Sequence, residues 1–501
     1  MTTLEFILAV IIIGVVLVTW IGVRAGRSAS TTLEGWMVND RKMGPMLTWF
    51  LLGTEIYTAF TFLGLAGFAY AKGGGVFYNV ATNDVGYALG FFILPAISLI
   101  GRRYNHVTQS DFIAGRYQSE GLGIVVAFAT AIILIAYIDL NIVGLGSILT
   151  VLTDHRLNVM SADIIGFAVL AVAVFFGGIR GNAWQSMIKD ILMFGAIAAL
   201  FFVVPYRFFH GFGDMFHRMM TEIPNRITMP GPTGKLGLGW FVTTLLLTGF
   251  GQWMWPQWFN VAYSARGGRT LKLQAVFMPL YQLVKVAVIT IGFAAVLIFA
   301  THKVPGNDVV ILLAKQIFPV WFLAFFALAA VLSAIVPAGP IIMMSCTLLA
   351  RNVYAKLVPD VAPRSVFRLS RGLVFVVTFA ALVLAIVAKA LIVVILLVAY
   401  DFIAQLLPAV VIGGLMWKGA TKAGTIAGLA TGWGLTIVLL LSGHGQVWHM
   451  NSGFVALAAN IVVFVLVSLV TKKVPAEHLD PFMAAAKPRR AGTVIIPAIA
   501  E

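Results

Sequence analysis

The chain has 501 residues, 60% of them hydrophobic and 11% charged, with a mean hydropathy of +0.97. A soluble domain carries nearer about one-quarter charged residues, and no water-soluble fold of this length hides so much apolar surface, so soluble enzymes and binding modules are excluded. The net charge of +15 would favour a nucleic-acid partner only if the basic residues shared one face. They are spread over alternate loops, so no nucleic acid is expected.

The apolar runs are too long for buried strands and lack barrel alternation, which predicts an all-α polytopic membrane protein of about thirteen transmembrane helices. The spans fall at about 4–23, 46–71, 77–100, 122–152, 160–179, 186–208, 237–263, 274–301, 317–350, 370–388, 391–416, 423–441 and 449–471. Residues 1–471 read as one transmembrane domain and 472–501 as a basic, mobile cytoplasmic tail. No cleavable leader is expected, because Met1–Thr3 carries no Lys or Arg and the first run is long enough to span.

The second span contains "LLGTEIYTAFTFLGLAG", with Glu55 inside it. A charge at mid-bilayer costs roughly 2.5–3.5 kcal/mol on insertion scales, and such residues are functional candidates by default. Asp139, Lys285 and Asp401 are the others, with Asp84, Asp163 and Asp190 nearer span ends. The fourth span is too long for one straight crossing and is expected to tilt or run on beyond the bilayer. Its Asp139 and Asn141 read as hydrogen-bonded between helices. Between the sixth and seventh spans, 209–236 is the longest external loop, with Pro and Gly turns.

The seventh span reads "TGFGQWMWPQ"; Gly251 and Pro256 can interrupt a helix there, as Gly53 can in the second span. Gln252, Trp253, Trp255 and Trp258 suit a small pocket with few oriented donors, or an interfacial aromatic belt. The eighth span places Tyr281 and Lys285 four residues apart on one helix face, with Gln282 beside them. A buried ammonium needs an anion: a substrate carboxylate, or Glu55 or Asp401 as an internal partner. The ninth span is again long and holds Ser333, Pro337, Gly339, Pro340 and Cys346. One cysteine excludes an internal disulfide. Asp401 and Gln405 lie four apart in the eleventh span.

The loops after the odd-numbered spans, with the tail, hold most of the 34 Lys and Arg residues. By the positive-inside rule the N-terminus is outside and the C-terminus in the cytoplasm, which fits a multi-pass protein of the cell (inner) membrane. Asp111 and Arg116, in a cytoplasmic helix, read as scaffold.

Five segments in order resemble the sodium/solute symporter family: "LEGWMVNDRKMGPM", the stretch around Glu55, "RRYNHVTQSDFIAGRYQS", "GFGQWMWPQWFNVAYSARGGRTLK" and "LLPAVVIGGLMWKGATKAGTIAG". The chain looks like the monocarboxylate/acetate- and pantothenate-type permeases of that family. The resemblance implies a LeuT-type 5+5 inverted repeat, repeat one about 46–208 and repeat two about 237–416, with discontinuous helices 2 and 7 meeting near the midplane. Unwound backbone at that depth must line a cavity.

In acetate-type members an Asp stands where Glu55 stands, so the resemblance places Glu55 at the break, among the cation-coupling groups with Thr54 and Ser333. Substrate contacts are expected at Lys285, Gln252, Trp253, Tyr57, Tyr281 and Asp401. Sodium-coupled members carry adjacent hydroxyls in the ninth span. Here Ser333 is followed by Ala334, and in the other register Val336 and Pro337 stand there. The sixth span's "W-T-D-x-x-Q" reads "AWQSMIKD", with Ser186 and Lys189 in place of Asp and Gln. A Na⁺ site at Thr54, Tyr57 and Ser333 therefore stands beside H⁺ coupling, which needs only one carboxylate and is favoured.

The expectation is a secondary transporter importing a small organic anion, a monocarboxylate, with a coupling cation, H⁺ or Na⁺. The alternatives are a Na⁺-coupled amino-acid or pantothenate symporter and a transporter-like sensor, which would need a signalling domain the tail lacks. No cofactor and no enzyme chemistry are expected: there is no His cluster, phosphate loop or nucleophile–base spacing.

Overall fold

The computed structural model describes residues 2–26, 32–387 and 392–487. Helix α1 (Thr3–Gly26) is followed by the short α2 (Leu33–Val38). The next apolar stretch is divided into α3 (Pro45–Thr54) and α4 (Leu65–Lys72), joined by non-helical residues and a wide turn at Phe60–Gly64. Helix α5 (Tyr78–Arg103) precedes α6 (Gln109–Tyr117), whose start is fixed by a reciprocal cap between Thr108 and Asp111. Then come α7 (Glu120–Leu152) and α8 (Val159–Phe208), which turns sharply at Gly178.

The segment after α8 forms α9 (Phe212–Glu222) and α10 (Pro224–Ile227). A second divided stretch follows: α11 (Leu238–Gly251), a tight turn at Gln252–Met254, and α12 (Pro256–Ser264). Helices α13 (Gly268–Phe277) and α14 (Gln282–Ile298) are nearly continuous. Helix α15 (Val309–Ile317) leads to α16 (Val320–Thr347), which extends as a wide turn to Tyr354 and into α17 (Ala355–Leu357). The bundle closes with α18 (Pro363–Val387), α19 (Ile392–Ile403) and its wide continuation Pro408–Met416, α20 (Lys422–Leu441) and α21 (Ser452–Val470). A last helix, α22 (Ala476–Ala485), lies against one end.

Among the described residues, ten helices are long and apolar enough to cross a membrane unbroken. The polarity of the bundle is inverted relative to a soluble protein. Phe92, Trp321 and Leu441 lie on the outside, 73%, 66% and 82% exposed, while Glu55, Lys189 and Lys285 are buried. Such a surface is stable only against lipid.

Three sequence expectations change. The predicted interval between the fifth and sixth spans is absent: the two helical arms of α8 meet at Gly178, whose φ of +72° only glycine adopts without strain. The 209–236 segment is not only Pro and Gly turns, since Phe212–Glu222 forms a helix with an Arg218–Glu222 ion pair one turn apart. The tail is not mobile throughout. Phe482 of α22 is fully buried against Tyr104 and Phe112, and His478 Nε2 lies 2.6 Å from Gly115 O. The remainder of the tail, 488–501, lies outside the described residues.

Candidate functional site between two helix breaks

Breaking a helix releases carbonyls that lipid cannot satisfy. After Thr54 the chain leaves the helix until Ala59, and each freed carbonyl finds a side-chain donor. Lys189 Nζ donates to Thr54 O (3.3 Å) and to Tyr57 O (2.6 Å). The Tyr137 hydroxyl reaches Glu55 O at 3.5 Å, and the Thr61 hydroxyl donates to Ile56 O. The second half-helix restarts as Thr58 Oγ1 accepts from Phe60 N–H. Gly53 lies inside α3 rather than at the break. Its role is close approach: a Cβ there would stand 1.9 Å from the Tyr281 hydroxyl.

The second break is set by proline. Trp255 takes an extended conformation and Pro256 opens α12 at the first helical position, where a missing N–H costs nothing. Gln109 Nε2 donates to the freed Met254 O at 2.7 Å. Trp255 thereby swings between Tyr137 and Tyr400, at ring distances of 4.8 and 5.2 Å.

Between the two breaks lies a cavity of about 30 Å³. Trp255, Trp258, Tyr137 and Tyr400 form aromatic walls, and Glu55, Gln257, Asn79, Asn83 and Lys285 supply the polar groups. Lys285 is buried on α14 and donates to Asn79 Oδ1 at 2.8 Å; no carboxylate comes within 4.0 Å of its ammonium among the described residues. Glu55 faces the same cavity. Its Oε2 accepts a long 3.4 Å bond from Gln257, and Oε1 has no partner. Two opposite charges thus border one small cavity without pairing.

The other sequence-predicted residues lie elsewhere. Trp253 wedges between α5 and the second break, its indole N–H donating to Gly86 O at 2.5 Å, and Gln252 is buried against Gly86. The Trp253 bond ties the break to α5, while the Gln252 amide is buried without a hydrogen-bond partner; neither lines the cavity, whereas Trp255, Gln257 and Trp258 do. Tyr281 meets Tyr57 edge to face (4.4 Å) and donates to Asp190 Oδ2 (2.8 Å), while the Tyr57 hydroxyl donates to Tyr281 O (3.2 Å). Asp401 points away from the cavity toward Gly453 at the start of α21, and its neighbour Tyr400 faces inward instead. Ser333 donates to Ala330 O of its own helix at 2.6 Å. Asn141, expected to bond between helices, donates to Tyr137 O of its own helix.

Sequence reasoning missed Asn79, Asn83, Tyr137 and Tyr400. The spacing of Asn79 and Asn83, four apart in an apolar helix, was the available signal. It also missed the partner of Lys189, which forms an ion pair with Asp190 Oδ1 at 2.7 Å.

At the end of the bundle gathering Arg41, Arg116 and Arg351, Asp111 caps α6, accepts from Asn352 and pairs with Arg351 at 3.3 Å. Burial pushes the Asp111 carboxyl up, but Arg351 and the Val107 N–H outweigh it and hold it below the usual range. The Arg116 guanidinium donates to Gly413 O and Trp417 O, which fits the scaffold role expected of both residues.

Two half-helix pairs crossing at a buried, mixed-charge cavity define a secondary transporter of the LeuT-type inverted-repeat class. The sequence profile described as "Sodium:solute symporter family" matches residues 36–432, and the chain belongs to that family. It is 35% identical to the uncharacterized symporter YhjB of Bacillus subtilis over 483 residues, 94% of this chain and 98% of that one. It is 28% identical over 495 residues to a monocarboxylate transport permease protein of Rhizobium johnstonii, covering 93% and 98%. Among solved structures, a Na⁺-coupled sialic acid symporter in its substrate-bound outward-open state shares the fold at a TM-score of 0.78 and 12% identity, covering 93% of this chain and 98% of that one. The nucleobase-cation-symport-1 transporter MHP1 in a closed conformation gives 0.53 at 13% identity, covering 90% and 98%. The protein is a cation:solute symporter, not an enzyme.

Proposed function

We propose that this symporter imports a small organic anion, a monocarboxylate, together with a proton, from the outside to the cytoplasmic, basic end of the bundle in the cell's inner membrane. Lys285 carries the proposal: a buried ammonium that faces a cavity, bonds to one neutral amide and has Asp84 only beyond ion-pair distance can take an anion. The small volume, with aromatic walls and amides, favours a solute of few heavy atoms over a sugar. The similarity to a protein named as a monocarboxylate transport permease supports the same class.

Glu55 supplies the coupling. A carboxylate solute beside an ionised Glu55 brings two like charges into one dry cavity, which is strongly unfavourable. A proton on Glu55 removes the repulsion, so anion and proton enter together. When both leave, Glu55 keeps its bond from Gln257 and the charge of Lys189 nearby, and the empty carrier returns.

The test is uptake of radiolabelled acetate, pyruvate and lactate into proteoliposomes under separate pH and Na⁺ gradients. Uptake driven by an inward pH gradient in sodium-free medium is the expected result. Uptake driven only by a Na⁺ gradient overturns proton coupling, and no uptake of any of the three overturns the substrate class.

A further inference from the structure

Two carbonyls freed by the first break, Thr54 O and Tyr57 O, converge on one point at the C-terminal end of a half-helix, where the dipole is negative. Converging carbonyls at such an end suit a bare alkali ion. Here Lys189 Nζ holds the point, bonded to both carbonyls and 2.7 Å from Asp190 Oδ1. An ammonium has three donors and no acceptor, so three oxygens saturate it. Lys189 is fully buried and reaches the break from a different helix, the second arm of α8.

The surroundings do not fit sodium. A hard cation needs more oxygen ligands than two carbonyls and one carboxylate. The α16 hydroxyl, Ser333, donates to Ala330 O of its own helix, and its neighbour in sequence is Ala334; the Thr54 hydroxyl at the break is buried without a partner. Val336 and Pro337 have no side-chain oxygen. Asp190 is itself clamped from the far side by the Tyr281 hydroxyl. The titratable groups facing the ammonium are Asp190 on its own helix, Glu55 on the broken stretch, and Tyr57 and Tyr281, which pack beside Asp190.

We propose that the Lys189 ammonium is a tethered cation standing where a coupling Na⁺ would bind at the helix break, so that this symporter needs no sodium. The charge that ties α8 to the break is then part of the chain. It also fits the sequence of α16, which offers at most one hydroxyl in either register: Ser333 followed by Ala334, or Val336 followed by Pro337. The inference rests on the symport reading but not on the identity of the anion.

The experiment therefore uses no organic solute. The purified full chain in detergent is melted in NaCl and in matched choline chloride, and ²²Na⁺ binding is measured alongside. The wild type is expected to melt at the same temperature in both media and to bind no Na⁺ saturably. Lys189→Ala leaves the Thr54 and Tyr57 carbonyls facing the Asp190 carboxylate across a vacated space. It is expected to melt lower in choline and to regain part of the loss in NaCl, a response a merely structural lysine would not create. Saturable Na⁺ binding or Na⁺-specific stabilisation of the wild type overturns the proposal, as does a folded Lys189→Ala indifferent to Na⁺. If Lys189→Ala does not fold, ²²Na⁺ binding to the wild type decides alone. A failure of acetate, pyruvate and lactate uptake leaves every one of these outcomes readable.

Discussion

Two lysines lie buried in the middle of this bundle, and they are satisfied to different degrees. Lys189 has three oxygens around its ammonium, one of them a carboxylate. Lys285 has one neutral amide oxygen and an open cavity. Both lose their hydration, at a cost of several kcal/mol for a bare ion, yet only Lys189 has a carboxylate in contact; the charge acting on Lys285 is the more distant Asp84. Counting donors against acceptors separates a charge that completes the scaffold from a charge kept for a ligand. Sequence position alone does not: both residues sit in apolar helices beside polar neighbours.

The sharpest way to break this comparison is to remove the unsatisfied ammonium. Lys285→Ala is expected to abolish anion uptake. Losing the charged partner of a buried anion costs about 2–5 kcal/mol, or roughly 30- to several-thousand-fold in affinity. Because Lys285 has little invested in the fold, the variant is expected to express and melt like the wild type. Normal uptake by Lys285→Ala in proteoliposomes would remove the cavity from the transport path. Glu55→Gln, in the same assay, is expected to retain anion exchange across the membrane while losing acceleration by a pH gradient, because a permanently neutral amide mimics the protonated acid.

A second substitution probes the satisfied side. Gly53→Ala puts a methyl where the Tyr281 hydroxyl stands, 1.9 Å from the ideal Cβ position. Tyr281 must move, and with it the bond to Asp190 and the support of Lys189. Overpacking of this kind costs about 1–3 kcal/mol. Lower thermal stability and slower transport are expected together. If Gly53→Ala melts as the wild type does, the Tyr281–Asp190–Lys189 chain is not a stability element.

Much of the fold was legible because membrane spans are written in long apolar runs, and Glu55 and Lys285 stood out as charges the bilayer disfavours. Which side chains face inward at the Pro256 break was not legible. Periodicity cannot carry through an unwound residue, so of Gln252, Trp253, Trp255 and Trp258 the sequence could not tell that only the last two line the cavity, with Gln257 beside them. Asp401 failed for a related reason: its helix tightens at Ala404–Leu406 just beyond it, and Tyr400 takes the inward face. Lys189 was visible only as a departure from a motif. Its contacts are with carbonyls 132 and 135 residues away, and no local pattern encodes them. The helix in the tail was hidden by its Ala-rich composition, although Phe482 and His478 are the residues that anchor it.

A third buried base shows another answer to the same problem: giving up the charge. His106, beside α6, is 7% exposed, and its Nδ1 has no partner. Burial pushes the imidazole from 6.5 down to about 4, with Arg351 and Arg41 adding to the shift against the pull of Asp111. The unfolded chain therefore takes up a proton near pH 6.5 that the folded chain refuses until near pH 4. Stability is full above pH 6.5 and falls as the pH drops between those values, by at most about 1.4 kcal/mol per pH unit. Asp111 adds only at the acid edge of this window: its carboxyl is held low in the fold, so its contribution begins to fall as the pH approaches the ordinary value of 3.8. The wild type in detergent is expected to melt at a lower temperature at pH 5 than at pH 7, and His106→Gln to show a flatter dependence. An unchanged slope in His106→Gln would move the acid sensitivity to another group.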